Sequence, residues 1–258
     1  LIRMRADQLL VERGLAASKS QAQRLIASGV RWRLLPGDWK TVSKNGEELR
    51  ETVELQAVDN AETRFVSRGG LKLDGALQRV TLDVRGLRCL DVGQSSGGFT
   101  DCLLQRGAEQ VVGVDVGQGQ LHPRLRGDAR VVCIERCNAR DLTAEALTDA
   151  GGPAAAAPFD LIVGDLSFIS QTLVWPALVP LLKLGGHMLM LVKPQFELQP
   201  EHIGKGGLVK SESSYPLVRE RIEQVVKDSG LALLDYVESP ITGGDGNREF
   251  LVFARQPA

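Results

Sequence analysis

Little in this chain ties it to a metal, a membrane or a covalent framework. Of 258 residues, three are His and four are Cys. His122, His187 and His202 fall in separate segments, and Cys89, Cys102, Cys133 and Cys137 form no C-x-x-C pair. That spacing excludes a zinc knuckle or a redox dithiol motif. Carboxylates are not clustered in the manner of a Mg²⁺ site either, so no metal is expected. The cysteines lie among Leu, Val and Ile, where a free thiol packs as a small apolar group. A reduced, cytoplasmic protein is the simple reading. No run of 18 apolar residues occurs. The nearest, 176–192, is interrupted by Lys183 and by Gly185-Gly186, so no membrane span is expected. Leu1-Ile2-Arg3-Met4-Arg5 lacks the apolar core of an export signal. A net charge of −1 gives no global pull toward nucleic acid, so any basic surface is local. Neither G-x-G-x-x-G nor G-K-[ST] is present, which excludes the usual dinucleotide and phosphate-cradling loops.

What the chain does have is a strand, a glycine loop and a helix opening in immediate succession. Arg88-Cys89-Leu90-Asp91-Val92 reads as a buried strand, and Gly93-Gln94-Ser95-Ser96-Gly97-Gly98 as the loop. Phe99-Thr100-Asp101-Cys102-Leu103-Leu104 has the apolar spacing of a helix start. This arrangement brings a nucleotide-like ligand against bare backbone at a helix N-terminus. A second strand, Gln110–Val114, ends at Asp115, whose carboxylate suits the two hydroxyls of a ribose. Acidic strand ends without a phosphate loop point to an adenosine carrying a positive centre, which is S-adenosylmethionine. The competing reading of the glycine loop alone is a plain strand-to-helix turn. Asp115 decides against it.

Residues 1–60 read as a separate α+β module. Arg5–Arg13 has helical spacing and is stopped by Gly14, and Ser18 is placed to cap a second helix over Lys19–Ala27. Short strands are expected at Val30–Trp32 and Thr52–Leu55. Residues 1–33 carry seven basic side chains, Arg3, Arg5, Arg13, Lys19, Arg24, Arg31 and Arg33, against only Asp7 and Glu12. A basic helix pair is the footprint of phosphate-backbone binding. On charge alone a solvated helical face competes with that reading. The pattern Arg5-x-Asp7-x-Leu9-Leu10, Gly14-Leu15, Ser18-Lys19-x-x-Ala22-x-x-Leu25-Ile26 and Gly29 resembles an S4 RNA-binding domain. The resemblance implies contact with structured RNA, with Arg5, Arg13, Lys19 and Arg24 as candidates. Trp32–Trp39 departs from that pattern by replacing a tight turn with a bulkier stretch. Its aromatics suit either stacking on unpaired bases or local packing.

A linker is expected over 61–66 and a second domain over 67–258. From Ser67 the chain alternates helical and strand-like segments. Helices are expected at Leu71–Gln78, Phe99–Arg106, Ala144–Asp149, Thr172–Leu182 and Tyr215–Ser229. Strands are expected at Arg88–Val92, Gln110–Asp115, Arg130–Ile134, Phe159–Val163, His187–Val192, Ala232–Val237 and Arg248–Ala254. The alternation predicts a doubly wound, Rossmann-like α/β sheet. Ligands of such sheets sit outside the carboxyl ends of the strands. Polar residues expected there are Asp91, Asp115, Asn138, Asp165 and Lys193. Asp165 with Lys193 forms a carboxylate–ammonium pair suited to removing a hydroxyl proton. The glycines of Ile203–Gly207 read as a mobile loop, and 195–210 as a candidate lid.

Lys72 and Glu249 complete the set. Lys72, Asp165, Lys193 and Glu249 match the Lys-Asp-Lys-Glu tetrad of FtsJ-like RNA ribose 2′-O-methyltransferases. The whole chain resembles the TlyA family, which joins an S4 domain to that class I methyltransferase fold. The motifs run in order: Ser67-Arg68-Gly69-Gly70-x-Lys72-Leu73, Gly97-Gly98-Phe99-Thr100, Val114–Leu121, Asn138–Leu142, Asp165–Ser170, Val192–Glu197 and Gly246-Asn247-x-Glu249. The resemblance implies Lys193 as base or hydroxyl-orienting group, with Lys72, Asp165 and Glu249 positioning it. It places S-adenosylmethionine among Asp91, Gly93, Ser95, Ser96, Gly97, Gly98, Phe99, Asp115, Asn138 and Asp165. Arg68 joins the RNA-contacting candidates, and the partner implied is ribosomal RNA in ribosomal subunits. Gln94-Ser95-Ser96 stands where the family has Ala-Ser-Thr, and the larger Gln94 is expected to alter access to the methionine end. Two other readings compete. The family also carries the label haemolysin, which implies membrane lysis, and a non-catalytic ribosome-binding factor would keep the fold. The four tetrad residues together favour the enzyme. These patterns leave the oligomeric state open.

Overall fold

The computed structural model describes residues 2–57 and 64–258, and the chain divides into two compact units, Leu1–Arg68 and Gly69–Ala258. The division falls after Arg68 because Gly69 already opens a helix. Of the expected linker, 61–63 lie outside the described residues.

In the small unit, β1 (Arg3–Arg5) leads into α1 (Ala6–Glu12), and α2 (Lys19–Gly29) runs into β2 (Val30–Arg33). Gly14, at φ +69°, ends the first helical segment, and the Ser18 hydroxyl accepts from Gln21 N at 3.2 Å as the expected N-cap. β3 (Lys40–Thr41), β2 and β5 (Glu54–Ala57) form a three-stranded sheet, and β4 (Glu48–Arg50) pairs with β1. The last strand starts two residues later than the sequence suggests, since Glu51-Thr52 turn and Val53 drops into the core. Leu9, Leu10, Leu25, Ile26, Val30 and Leu49 make that core. Each such side chain contributes about 1.5–3 kcal/mol by leaving water.

The large unit begins with α3 (Gly69–Val80), then alternates β6 (Arg88–Val92), α4 (Gly98–Gln105), β7 (Gln110–Val114), α5 (Pro123–Arg126) and β8 (Val131–Ile134). There follow α6 (Ala144–Gly151), β9 (Phe159–Gly164), α7 (Trp175–Leu178) and β10 (Leu182–Val192). The unit ends with α8 (Tyr215–Asp228), β11 (Ala232–Glu238) and β12 (Phe250–Arg255). The seven strands lie in the order β11-β12-β10-β9-β6-β7-β8. β6 to β10 run parallel, and β12 is antiparallel to both neighbours. The expected helix over 172–182 is instead three short pieces, 3₁₀ at Gln171–Leu173, α7, and 3₁₀ at Val179–Leu181. Pro176 and Pro180 lack the N–H that a continuous helix requires. Strand order reverses between β6 and β9, so the crevice expected of such a sheet opens at their carboxyl ends.

Candidate active site

At the reversal point Gly93 leaves β6 with φ +79°, and a Cβ there would collide with the carbonyl oxygen of Asp165. Only glycine lets the two strand exits pass this closely. Asp115 follows β7, where its Oδ2 accepts from Ser95 N at 2.8 Å and its Oδ1 from Gly117 N at 2.7 Å. A cavity of about 480 Å³ lies between these turns, with Gly93, Ser95, Asp115, Asn138 and Asp165 in its walls. The Asn138 side-chain oxygen accepts from Arg140 N at 3.0 Å, which fixes the amide at the cavity edge.

Asp91, two residues before Gly93, is fully buried and is not in the cavity wall. Its Oδ2 accepts from the Thr100 hydroxyl at 2.7 Å, and its Oδ1 has no hydrogen-bond partner among the described residues. Burial pushes this carboxyl up to about 7, the Thr100 hydrogen bond pulls it down, and the Asp165 charge adds to the rise.

Several expected cofactor residues are placed elsewhere. Ser96 gives its carbonyl to His122 N at 3.0 Å, Gly97 lies tight under Leu121 and Leu125, Gly98 opens α4, and Phe99 is buried. None of the four is in the cavity wall. They shape the turn and the helix start behind it. Gln94 is also corrected: it is buried, donates to Thr100 Oγ1 at 3.0 Å and covers Gly113, where a Cβ would collide with it. It reaches Asp91 only through the Thr100 hydroxyl and is not in the cavity wall.

The four tetrad residues meet as two ion pairs. Lys72, on α3, places Nζ 2.6 Å from Glu249 Oε2, and both side chains are buried. Lys193, just past β10, places Nζ 2.5 Å from Asp165 Oδ1 and 2.9 Å from Ser167 Oγ. β10 and β12 pair Val192 with Phe250, so Lys193 and Glu249 are the next positions of that register. Burial raises the Glu249 carboxyl, Lys72 and Lys193 draw it down, and Asp165 pushes it up. Asp165 therefore belongs to both halves, lining the cavity and holding Lys193.

Sequence reasoning passed over other residues of the cavity wall. Gln120, Cys137 and Phe168 line it. Phe168 is 90% exposed at φ +63°, an unfavourable conformation for a bulky side chain, with its ring centroid 5.2 Å from that of Phe196. Its signal was available as an aromatic three residues beyond Asp165 in a polar loop. The 195–210 segment is tied down rather than loose: Ile203 bridges Val209, and Asn247 Oδ1 accepts from Val209 N at 3.0 Å.

In the small unit, the Arg5 guanidinium is held by Asp7 at 2.9 Å, and that guanidinium holds the Asp7 carboxyl down to about 2. Arg13 donates to the carbonyl of Glu51, Lys19 is exposed and Arg24 is half-buried. Arg68 is half-buried at the end of this unit. Trp32 packs on the core, while Arg33 lies 4.6 Å over the ring of Trp39. Among the described residues no group of three or more His, Cys, Asp and Glu could hold a metal ion, and no helix is long and apolar enough to cross a membrane.

A sheet with this reversal, a glycine turn after its first strand and a carboxylate after its second is the architecture of class I methyltransferases, which take their methyl group from S-adenosylmethionine. A solved S-adenosylmethionine-dependent methyltransferase from Mesorhizobium loti shares the fold, with TM-score 0.50 and 19% identity over 70% of this chain and 96% of its own. The profile of the FtsJ-like methyltransferases matches residues 65–256, and the chain belongs to that family. The chain is 43% identical to the "16S/23S rRNA (cytidine-2'-O)-methyltransferase TlyA" of Mycobacterium tuberculosis, over 98% of this chain and 90% of the relative. It is 36% identical to "Hemolysin A" of Brachyspira hyodysenteriae, over 96% and 98%. A solved structure of a Streptococcus thermophilus protein described as a hemolysin aligns with TM-score 0.75 at 38% identity, over 99% of this chain and 89% of that one. The methyltransferase class and the TlyA resemblance expected from the motifs are thereby borne out.

Proposed function

We propose that this methyltransferase transfers a methyl group from S-adenosylmethionine to a ribose 2′-hydroxyl of ribosomal RNA. The observation that carries the reading is the double duty of Asp165, a wall of the cofactor cavity and the partner of Lys193. The donor cavity and the nucleophile's site thus share one side chain. The name of the Mycobacterium tuberculosis relative supports a ribose 2′-oxygen as acceptor.

The residues present fit the cofactor. Gly93 leaves a cradle that a Cβ would fill, and buried Asp91, two residues earlier, keeps one oxygen without a hydrogen-bond partner among the described residues. The two carboxylates in the cavity wall, Asp115 and Asp165, favour a cation over a phosphate. S-adenosylmethionine, when bound, supplies a methyl group on a positively charged sulfur. Asp115 would accept the two hydroxyls of its adenosine, and the Asn138 amide would meet the base. Lys193 Nζ fixes the RNA hydroxyl so that one oxygen lone pair points into the cavity. The hydroxyl proton passes to the Lys193–Asp165 pair as the oxygen is alkylated. Lys72 and Glu249 neutralise each other beside that pair and keep the lysine side chain in place. The exposed ring of Phe168 suits stacking on a base turned out of its helix. The small unit, read as an S4-type domain, would grip structured RNA through Lys19, Arg13, Arg24 and Arg68. Its Arg5 serves Asp7 first. An enzyme of ribosomal RNA works in the cytoplasm, beside its substrate.

The test is transfer of labelled methyl from S-adenosylmethionine to unmethylated small and large ribosomal subunits, with mapping of the ribose. Label on a defined 2′-oxygen, lost in Lys193→Ala while RNA binding persists, is the expected result. Transfer unaffected by Lys193→Ala sinks the tetrad. Cofactor-independent leakage of lipid vesicles would favour the membrane reading that the Brachyspira relative's name suggests.

A further inference from the structure

Glu249 does not stand at the end of β12 unsupported. Six residues before it the chain makes a tight turn in which Gly243 N donates to Asn247 O at 2.8 Å. A Cβ at Gly243 would collide with Glu249 Oε1 and come within 2.9 Å of Asp245 Oδ1. The turn therefore wraps the carboxylate with no space left over. Asn247, 3% exposed, is the knot of this turn. Its Oδ1 accepts from Val209 N at 3.0 Å, and its Nδ2 donates to Gly207 O at 2.8 Å and to Asp245 Oδ2 at 2.9 Å. Asp245 Oδ1 accepts in turn from Asn247 N at 3.0 Å, and its Oδ2 from Gln195 Nε2 at 3.0 Å. Gln195 lies two residues beyond Lys193. One buried amide thus ties together the glycine loop 204–209, the segment after Lys193 and the turn before Glu249.

We propose that Asn247 is a positioning residue of the methyl-transfer site, which holds Glu249 on Lys72 and makes the 204–209 loop part of the catalytic scaffold. This rests on the tetrad reading given above. A buried amide with both of its ends engaged by backbone has one orientation, so it fixes where Glu249 leaves the turn. Substituting it by alanine leaves Val209 N–H and Gly207 C=O without their partner, and the turn and the loop separate. Glu249 then loses part of its contact with Lys72. The groups that face this carboxylate are Lys72 from α3, Lys193 after β10, Asp165 after β9 and Asp245 from its own turn. The first two lower its affinity for a proton and Asp165 raises it. Weakening only the Lys72 contact leaves burial and Asp165 less opposed, so the carboxyl takes up its proton at higher pH.

The experiment is a pH–rate profile of methyl transfer to unmethylated ribosomal subunits by the full chain, with Asn247→Ala and Asp245→Ala beside the wild type. Asp245 is exposed, so its variant folds even where Asn247→Ala does not. The expected result is a fall in kcat of about 10–100-fold for Asn247→Ala and of a smaller factor for Asp245→Ala. KM for both substrates should hold, and the acid limb should move to higher pH, with activity partly recovered by raising the pH. A rate loss with an unshifted acid limb, or a loss confined to KM, overturns the proposal. Lys193→Ala, run in parallel, separates the two failures. If it abolishes transfer while the Asn247 and Asp245 profiles stay in place, only the positioning role is lost. If it leaves transfer intact, the tetrad itself is wrong.

Discussion

The two halves of the sheet's carboxyl edge use the same residue type in opposite ways. On the β6–β7 side, Asp91 and Asp115 are held by a hydroxyl and by backbone N–H groups, and among the described residues no lysine or arginine forms an ion pair with either. On the β9–β10–β12 side each carboxylate has its own lysine, Glu249 with Lys72 and Asp165 with Lys193. The first half has its carboxyl groups held by neutral donors and gains by receiving a positive ligand. The second is internally neutral and suited to handing a proton between fixed partners. Position in the sheet and not residue identity decides which role an aspartate takes.

The sharpest way to break this comparison is to remove the proton-handling lysine. Lys193→Ala should lower methyl transfer by about 10³-fold, as for loss of a general acid–base group, with cofactor affinity held within a few-fold by calorimetry. Equal losses in both would mean that the two halves are not separate. Next comes the buried pair. Lys72→Ala leaves the buried Glu249 carboxyl without its ion-pair partner and should destabilise the large unit by about 3–5 kcal/mol in denaturant titrations. Lys72→Met combined with Glu249→Leu should recover much of that stability without restoring activity. A double variant no more stable than the single one would contradict the ion-pair account.

On the cofactor side, Asp115→Ala should weaken S-adenosylmethionine binding about 10–100-fold, the worth of hydrogen bonds to a charged acceptor. Unchanged affinity would move the ribose elsewhere. The smallest effect is a pH dependence. Burial holds the Asp91 carboxyl near 7, above the unfolded value, so the folded chain keeps a proton that the unfolded chain loses. Its contribution to stability is therefore complete below the unfolded value and is lost as pH rises through 7. A cationic ligand prefers the ionised form, so affinity for S-adenosylmethionine should rise several-fold between pH 6 and 8. Asp91→Asn should flatten that rise, and S-adenosylhomocysteine, which lacks the sulfonium charge, should show less of it. A slope that survives in Asp91→Asn would assign the titration to another group.

Much of this was legible in the sequence where local and global preferences agree. The strands β6, β7 and β9 are short segments rich in Val, Leu and Ile with an aspartate within or just beyond their carboxyl ends, so their approximate bounds and those carboxylates could be read directly. The tetrad was legible only as a set, because each member alone is an ordinary surface charge. What escaped was whatever depends on the third dimension. The spacing around Gly97 and Phe99 is the same whether the loop presents its backbone to a ligand or to Leu121 and Leu125, and only the packed structure chooses the latter. Gln94 looked like an obstruction because its size is visible in sequence and its direction, over Gly113, is not. Pro176 and Pro180 were in plain view, yet the apolar spacing of 172–182 outweighed them in the sequence reading.

The insertion of β12 between β10 and β11 has a consequence for how the enzyme comes into being. Ribosomes deliver the chain from its N-terminus, and Lys72, Asp165 and Lys193 all emerge well before Glu249. Until β12 slots into place, β11 has no neighbour in the sheet and Lys72 has no counter-charge. A nascent chain that has not yet delivered β12 thus lacks both the strand that joins β11 to the sheet and the carboxylate that meets Lys72. Completion of the sheet and completion of this buried ion pair are therefore one and the same event, and it comes late in synthesis.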